Sequence, residues 1–260
     1  MKRTTHFLML LLMSGFVFTS CQKSTKDPVS EEISQDVIMQ LRDLGYGTNN
    51  VQKVEEGYLV EGDMIITPEM LNSPSSSTKL LIANNEQYRT TNLVNAPRNI
   101  TVSVSGSYSS GFSSAVDAAI ARYNAESLQL TFSRVASGGN INIRIINTGQ
   151  YIASAGFPSG GNPYNEIKYA KKYTTYSLGF MTTVLAHEMG HCIGFRHTDY
   201  MDRSYSCGTG GNEGASTVGA IQIPGTPSGP DAASWMLACL SATTNRPFNP
   251  NDKTALNYLY

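Results

Sequence analysis

The run His187-Glu188-Met189-Gly190-His191-Cys192-Ile193-Gly194-Phe195-Arg196-His197 places three imidazoles and a carboxylate in one short stretch, in the pattern H-E-x-x-H-x-x-G-x-x-H. Upstream, Leu178, Met181 and Leu185 keep helical spacing. The helix they predict continues through the run, so His187 and His191, about one turn apart, project from the same face toward one ion. Gly194 has no Cβ. It can take the left-handed conformation that ends a helix and turns the chain back, which brings His197 to the same ion. Three His ligands leave a coordination position open. Catalytic zinc keeps such a position for water, whereas structural zinc is usually closed by a fourth protein ligand. Glu188 follows the first ligand and reaches that water as general base. The chain has 4 His, and all but His6 fall in this run, so chance clustering is a poor explanation of it. Cys192 adjoins a ligand but points about 100° away around the helix, which makes it a core residue rather than a ligand.

At about 150 residues per domain, a chain of 260 residues holds between one and two domains. Its 19 Lys+Arg against 20 Asp+Glu give a net charge of -1, so no electrostatic footprint for nucleic acid or an anionic membrane is present. Hydrophobic residues at 40% and charged residues at 15% exclude a disordered or polybasic chain. Lys2 and Arg3 precede an apolar run from Phe7 to Phe18, too short to span a bilayer, so residues 1–20 read as a signal peptide. The protein is expected to be exported. Phe18-Thr19-Ser20-Cys21 resembles a relaxed bacterial lipobox, which implies lipidation of Cys21, a tether over 21–30, and a cell-envelope lipoprotein touching the membrane only through its anchor. A plain secretory signal with Cys21 incidental is the alternative.

The elements that must position the histidines are legible in outline. Ile33, Val37, Leu41 and Leu44 predict an amphipathic helix stopped by Gly45. Residues 58–60 and 64–66 predict short strands flanking Glu61-Gly62-Asp63, and the Ser/Asn/Pro-rich stretch 72–77 is a boundary candidate. Residues 100–104 alternate as a strand. Ser114 with Asp117 gives a capping-box-like start to a helix lined by Phe112, Val116, Ile120 and Tyr123. Strands are predicted at 128–135 and 141–146, with weaker ones at 151–155 and 166–169. The series points to an α+β or α/β domain built on one twisted sheet. Of the cysteines left after export, Cys207 with Cys239 is the favoured disulfide because both lie in loop-rich sequence, though sequence does not decide among the three pairs.

The extended motif resembles the metzincin zinc metallopeptidases, and His187 through Asp199 is similar to the bacterial dual-action HEIGH metallopeptidases, with Met189 where that name has Ile. The resemblance covers about 99–260. It implies an α+β catalytic domain over 98–260, with a twisted mixed sheet, two helices above a cleft, and a smaller C-terminal subdomain after Gly194. Ser234-Trp235-Met236 resembles the Met-turn, whose methionine, here Met236, lies beneath the metal without binding it. Astacin-type relatives place a tyrosine two residues beyond that methionine; Ala238 stands there, so no tyrosyl ligand is expected. Val60-Glu61-Gly62-Asp63 resembles the F-x-G-D segment of astacin-type propeptides, which implies a prosegment over 31–97 with Asp63 closing the open zinc position. An ordinary hairpin turn is the other reading of Gly62-Asp63. Residues 150–157 are a candidate edge strand for an extended substrate. Arg196 and Asp199 are expected as solvated charges, or else as supports of His197. The expectation is an exported zinc endopeptidase acting on proteins or peptides through Glu-assisted attack of zinc-bound water, made as a proenzyme. The alternative is a non-catalytic, metal-stabilised surface-binding lipoprotein.

Overall fold

The computed structural model describes residues 33–44, 46–72, 87–211, 220–227 and 229–260. In chain order its elements are α1 (Gln35–Asp43), β1 (Gln52–Val54), β2 (Gly57–Val60), β3 (Met64–Ile66), α2 (Pro68–Leu71), β4 (Tyr88–Arg89), β5 (Arg98–Ser105), α3 (Ser110–Asn124), β6 (Leu130–Arg134), β7 (Ile141–Ile146), β8 (Ala153–Ala155), β9 (Glu166–Ala170), α4 (Leu178–Ile193), β10 (Phe195–Arg196), α5 (Ser204–Cys207), β11 (Ile221–Gln222) and α6 (Pro250–Leu259). The expected signal peptide and tether, with Cys21 and Gly45, lie outside the described residues. Among the described residues, no helix is long and apolar enough to cross a membrane.

Alternation decides which strand faces enter the core. Ile100 and Val102 of β5, and Ile141 and Ile143 of β7, are buried, while the residues between them along β7 are not. The fold is α+β, with an eight-stranded mixed sheet in the order β1-β2-β3-β8-β9-β7-β5-β6. Strands β6, β5, β7 and β9 are parallel, and β8 runs antiparallel to β9. The antiparallel β1-β2-β3 meander joins through parallel pairing of β3 with β8. Helices α3 and α4 pack against each other in the main core, and the Tyr123 hydroxyl donates to the Ala186 carbonyl at 2.7 Å.

Helix α3 begins before the expected Ser114. Ser109 is its N-cap, accepting from the Phe112 N–H at 3.2 Å, while the Ser114 hydroxyl donates back to the Ser110 carbonyl at 3.3 Å inside the helix. A serine in either place satisfies a local backbone group, and only the first ends the chain's extended run.

A second, smaller core gathers Leu41, Leu44, Tyr46, Val60, Met64, Ile66 and Leu71 around Phe157. Residues 33–72 thus bury apolar surface of their own around Phe157 of the later chain, to which they also join through the pairing of β3 with β8. Residues 87–97 behave differently. The Gln87 amide donates to Asp252 Oδ1 at 2.6 Å and to Ser234 Oγ at 3.1 Å, the Thr90 N–H to the Gly194 carbonyl at 2.8 Å, and the Asn95 N–H to the Gly161 carbonyl at 2.9 Å. Strand β4 sits between β10 and β11 in a three-stranded sheet. The division expected at 97/98 therefore coincides with no break in packing, and residues 73–77 of the boundary candidate lie outside the described residues.

Candidate metal centre

Ser177 caps α4, accepting from the Phe180 N–H at 3.3 Å, and every residue from Phe180 to Ile193 is buried. Gly194 ends the helix at φ 114. A Cβ there would meet Leu93 Cδ2 at 2.8 Å and the Asn92 carbonyl at 3.0 Å, so both the conformation and the space require glycine. The chain turns back through β10 and delivers His197.

His187, His191, His197 and Asp63 each bring one ligand atom into a group whose members all lie within 4.8 Å of one another. His187 Nε2 and His191 Nε2 are 3.0 Å apart, and Asp63 Oδ2 lies 3.2 Å from His197 Nε2 and 3.5 Å from His187 Nε2. Tetrahedral zinc with bonds of about 2.0–2.1 Å separates its ligands by about 3.3 Å. The observed edges bracket that length. Carbonyl oxygens only accept, so His187 Nδ1–H donates to the Trp235 carbonyl at 2.9 Å and His191 Nδ1–H to the Phe195 carbonyl at 2.8 Å. These bonds fix both rings with the Nε2 lone pair turned toward the group. Burial, then the charges of His187 and His197, push His191 well below the usual imidazole range, which keeps it neutral and able to ligate.

Burial alone would raise the Asp63 carboxyl, but His197 and His187 outweigh it and hold the group well below the usual range. Burial, followed by the charge of Asp63, drives Glu188 well above its ordinary value. Asp63 Oδ1 and Glu188 Oε2 are buried without a hydrogen-bond partner among the described residues. Three imidazoles with Asp63 Oδ2 form a nitrogen-and-oxygen donor set that suits a divalent ion such as zinc, and the unpartnered Glu188 oxygen stands outside that set.

Met236 lies under α4. A Cβ on Gly190 would stand 2.7 Å from Met236 Sδ and 3.2 Å from Trp235 Nε1. The Met236 carbonyl accepts from the Thr198 N–H at 2.9 Å, tying this turn to the residue after His197. Cys207 and Cys239 form a disulfide, and Cys192 is a buried free thiol packed in the main core.

Two expectations change. Arg196 and Asp199 are not solvated charges, since both are fully buried. Arg196 Nη2 donates to both carboxylate oxygens of Glu61, at 2.6 and 2.7 Å, and Asp199 accepts from the Ala238 N–H at 2.9 Å and from the Ser206 hydroxyl. Strand β8 is not an edge, because β3 occupies its outer side and the Ala155 N–H donates to the Asp63 carbonyl at 2.8 Å. Glu61-Gly62-Asp63 is indeed the loop of a β2-β3 hairpin, and that loop carries Asp63 into the histidine group. The sequence offered no role for Glu61 or for Arg203, which donates to the Glu61 carbonyl; the two stand 142 positions apart and only the fold brings them together.

The sequence profile of a family described as dual-action HEIGH metallo-peptidase matches residues 59–260, a span that includes Asp63 as well as the three histidines. No curated protein matches the chain. Among solved structures, one of myroilysin matches with a TM-score of 0.34 and 18% identity, covering 41% of this chain and 52% of that one. Another, also of myroilysin, matches with a TM-score of 0.33 and 16% identity over 52% of this chain and 59% of that one. The chain thus spans little more than half the length of these structures.

Proposed function

Because this chain belongs to the dual-action HEIGH metallopeptidase family, we propose that it is an exported zinc endopeptidase, held latent by its own residues 33–72. The observation that carries the reading is the convergence of His187, His191, His197 and Asp63 beside a buried carboxylate, Glu188. Bound by the three imidazoles, zinc supplies Lewis acidity that lowers the pKa of water to about 7 and polarises a peptide carbonyl.

The protein's own groups do the rest. The Nδ1–H bonds to the Trp235 and Phe195 carbonyls hold His187 and His191 in the ligating tautomer. Glu188 takes the proton of the attacking water at Oε2, the oxygen with no other partner among the described residues, and returns it to the leaving nitrogen. No covalent enzyme intermediate is needed. Asp63 Oδ2, 3.2 Å from His197 Nε2, would hold the ion as a fourth ligand, and its negative charge lies beside Glu188, so this form excludes substrate; strand β3 likewise covers the β8 edge where an extended peptide would pair. The hydrogen bonds of Gln87 and Thr90 into the later chain support a prosegment that ends before Gln87. Lys2, Arg3, the apolar run to Phe18 and Cys21 support export and a lipid anchor.

In the processed chain, freed of residues 33–72, Glu188→Ala should retain one zinc per chain and lose peptide cleavage. Equal cleavage by the variant and the wild type would refute the mechanism, and zinc binding with no cleavage by either would favour a metal-stabilised binding lipoprotein. Asp63→Ala should make the unprocessed chain active; unchanged latency would refute the switch.

A further inference from the structure

Asp63 is held in place by the residue two before it. Glu61 and Gly62 take φ values of 54 and 93, and left-handed backbone at a non-glycine such as Glu61 persists only where its surroundings enforce it. Here they do. The Glu61 carboxylate accepts from Arg196 Nη2 at 2.6 and 2.7 Å and from the Gly47 N–H at 2.9 Å, and its carbonyl accepts from Arg203. The Glu61 and Arg196 side chains are 1% and 0% exposed.

Ownership of these groups divides sharply. Glu61, Gly47 and Tyr46, whose ring faces the guanidinium at 5.1 Å, belong to residues 33–72. Arg196 and its other aromatic neighbour Tyr200, at 5.8 Å, belong to the later chain, where Tyr88 braces Tyr200 edge-on at 4.3 Å. Removing the earlier segment takes away the carboxylate and one wall and leaves the guanidinium on its Tyr200 platform. The same division of charge recurs along the segment, where Glu56 pairs with Lys168 and, at 3.3 Å, with Arg144.

We infer that Arg196 forms a substrate subsite selecting an acidic side chain, and that Glu61 is its built-in occupant. The inference rests on the peptidase reading above and names the substrate class for it. A planar guanidinium that grips both oxygens of a carboxylate gains little from an uncharged side chain, and a site built to satisfy such donors discriminates strongly against a substrate that leaves them unmet. Glu61 Oε2 lies 4.0 Å from Nδ1 of His197, itself a member of the metal group, so the selected residue lies within two positions of the cleaved bond.

The test uses the full-length, zinc-loaded chain activated by limited proteolysis, and paired peptides that differ only in Glu or Gln within two positions of the cleaved bond. Wild type should prefer the Glu peptide by at least about tenfold in kcat/KM, expressed mainly in KM. Arg196→Gln should bring the ratio to about one, and Arg196→Lys should retain part of it. Arg196 is buried, so an arm that leaves the protein unaltered is included. A synthetic peptide of residues 58–66 should inhibit the activated wild type, and the same peptide carrying Glu61→Gln should inhibit at least about tenfold more weakly. Equal cleavage of the paired peptides, or equal inhibition by the two synthetic ones, would overturn the subsite and leave the peptidase standing. Failure to cleave either peptide would overturn the peptidase reading and this inference with it.

Discussion

Gly190→Ala sets helix propensity against packing. Alanine in the interior of α4 should stabilise the helix by up to about 1 kcal/mol relative to glycine. The new Cβ, however, would stand 2.7 Å from Met236 Sδ and 3.2 Å from Trp235 Nε1. Ordinary contact needs about 3.5–4 Å, so the buried Met236 side chain must shift by roughly 1 Å, with a smaller shift of the Trp235 ring. Overpacking of this kind destabilises by about 1–3 kcal/mol, which leaves a net loss on the order of 1 kcal/mol. A shift passed from these two side chains into their backbone would lengthen the bond from His187 Nδ1 to the Trp235 carbonyl, now 2.9 Å. Loss of such an orienting bond weakens metal affinity by about 10–100-fold. Urea unfolding of the metal-free protein and zinc competition against a chelator measure the two effects separately. Gly111→Ala in α3 is the control, because its Cβ would meet nothing nearer than Ser109 Oγ at 3.7 Å, and it should be neutral or stabilising. A Gly190→Ala protein as stable as wild type, with unchanged zinc affinity, would refute the reasoning.

Replacing Cys207 and Cys239 together by serine opens a loop of sequence separation 32. The chain-entropy relation gives a loss of about 4 kcal/mol, readable by urea unfolding, and an unchanged midpoint would show that the crosslink constrains little. Asp252 gives a pH test. Burial raises its carboxyl from 3.8 to about 7, so between those values the folded chain binds more protons than the unfolded one and wild type loses stability as pH rises. Asn carries no such proton. The stability of Asp252→Asn relative to wild type should therefore climb between about pH 4 and 7, and a flat or falling difference in unfolding free energy would contradict the burial argument.

The histidine run was legible because its geometry is local. One helix fixes the relation of His187 to His191, and one glycine fixes the turn that returns His197. Strand β7 was legible for the same reason, its alternation matching one buried face. What escaped depends on contacts between distant residues. Strand β4 is two residues long and exists because β10 and β11 flank it. Arg196 reads as an ordinary surface charge until Glu61, more than a hundred residues earlier, is folded onto it. The start of α3 escapes the sequence because Ser109 and Ser114 are equally good caps by type. The role of the 33–72 segment lies between these cases. Val60-Glu61-Gly62-Asp63 could be singled out from its residues, but its choice between plain hairpin and metal-site occupant required both, since the hairpin is what presents the aspartate.

Zinc-edge X-ray absorption of the zinc-loaded full-length protein tests the metal centre most directly. The expected spectrum has three imidazole nitrogens and a carboxylate oxygen at about 2.0–2.2 Å, with the oxygen from Asp63 giving way to solvent in Asp63→Ala. A sulfur shell at about 2.3 Å, which would bring in Cys192 or an opened disulfide, or a site with fewer than three imidazoles, would contradict it.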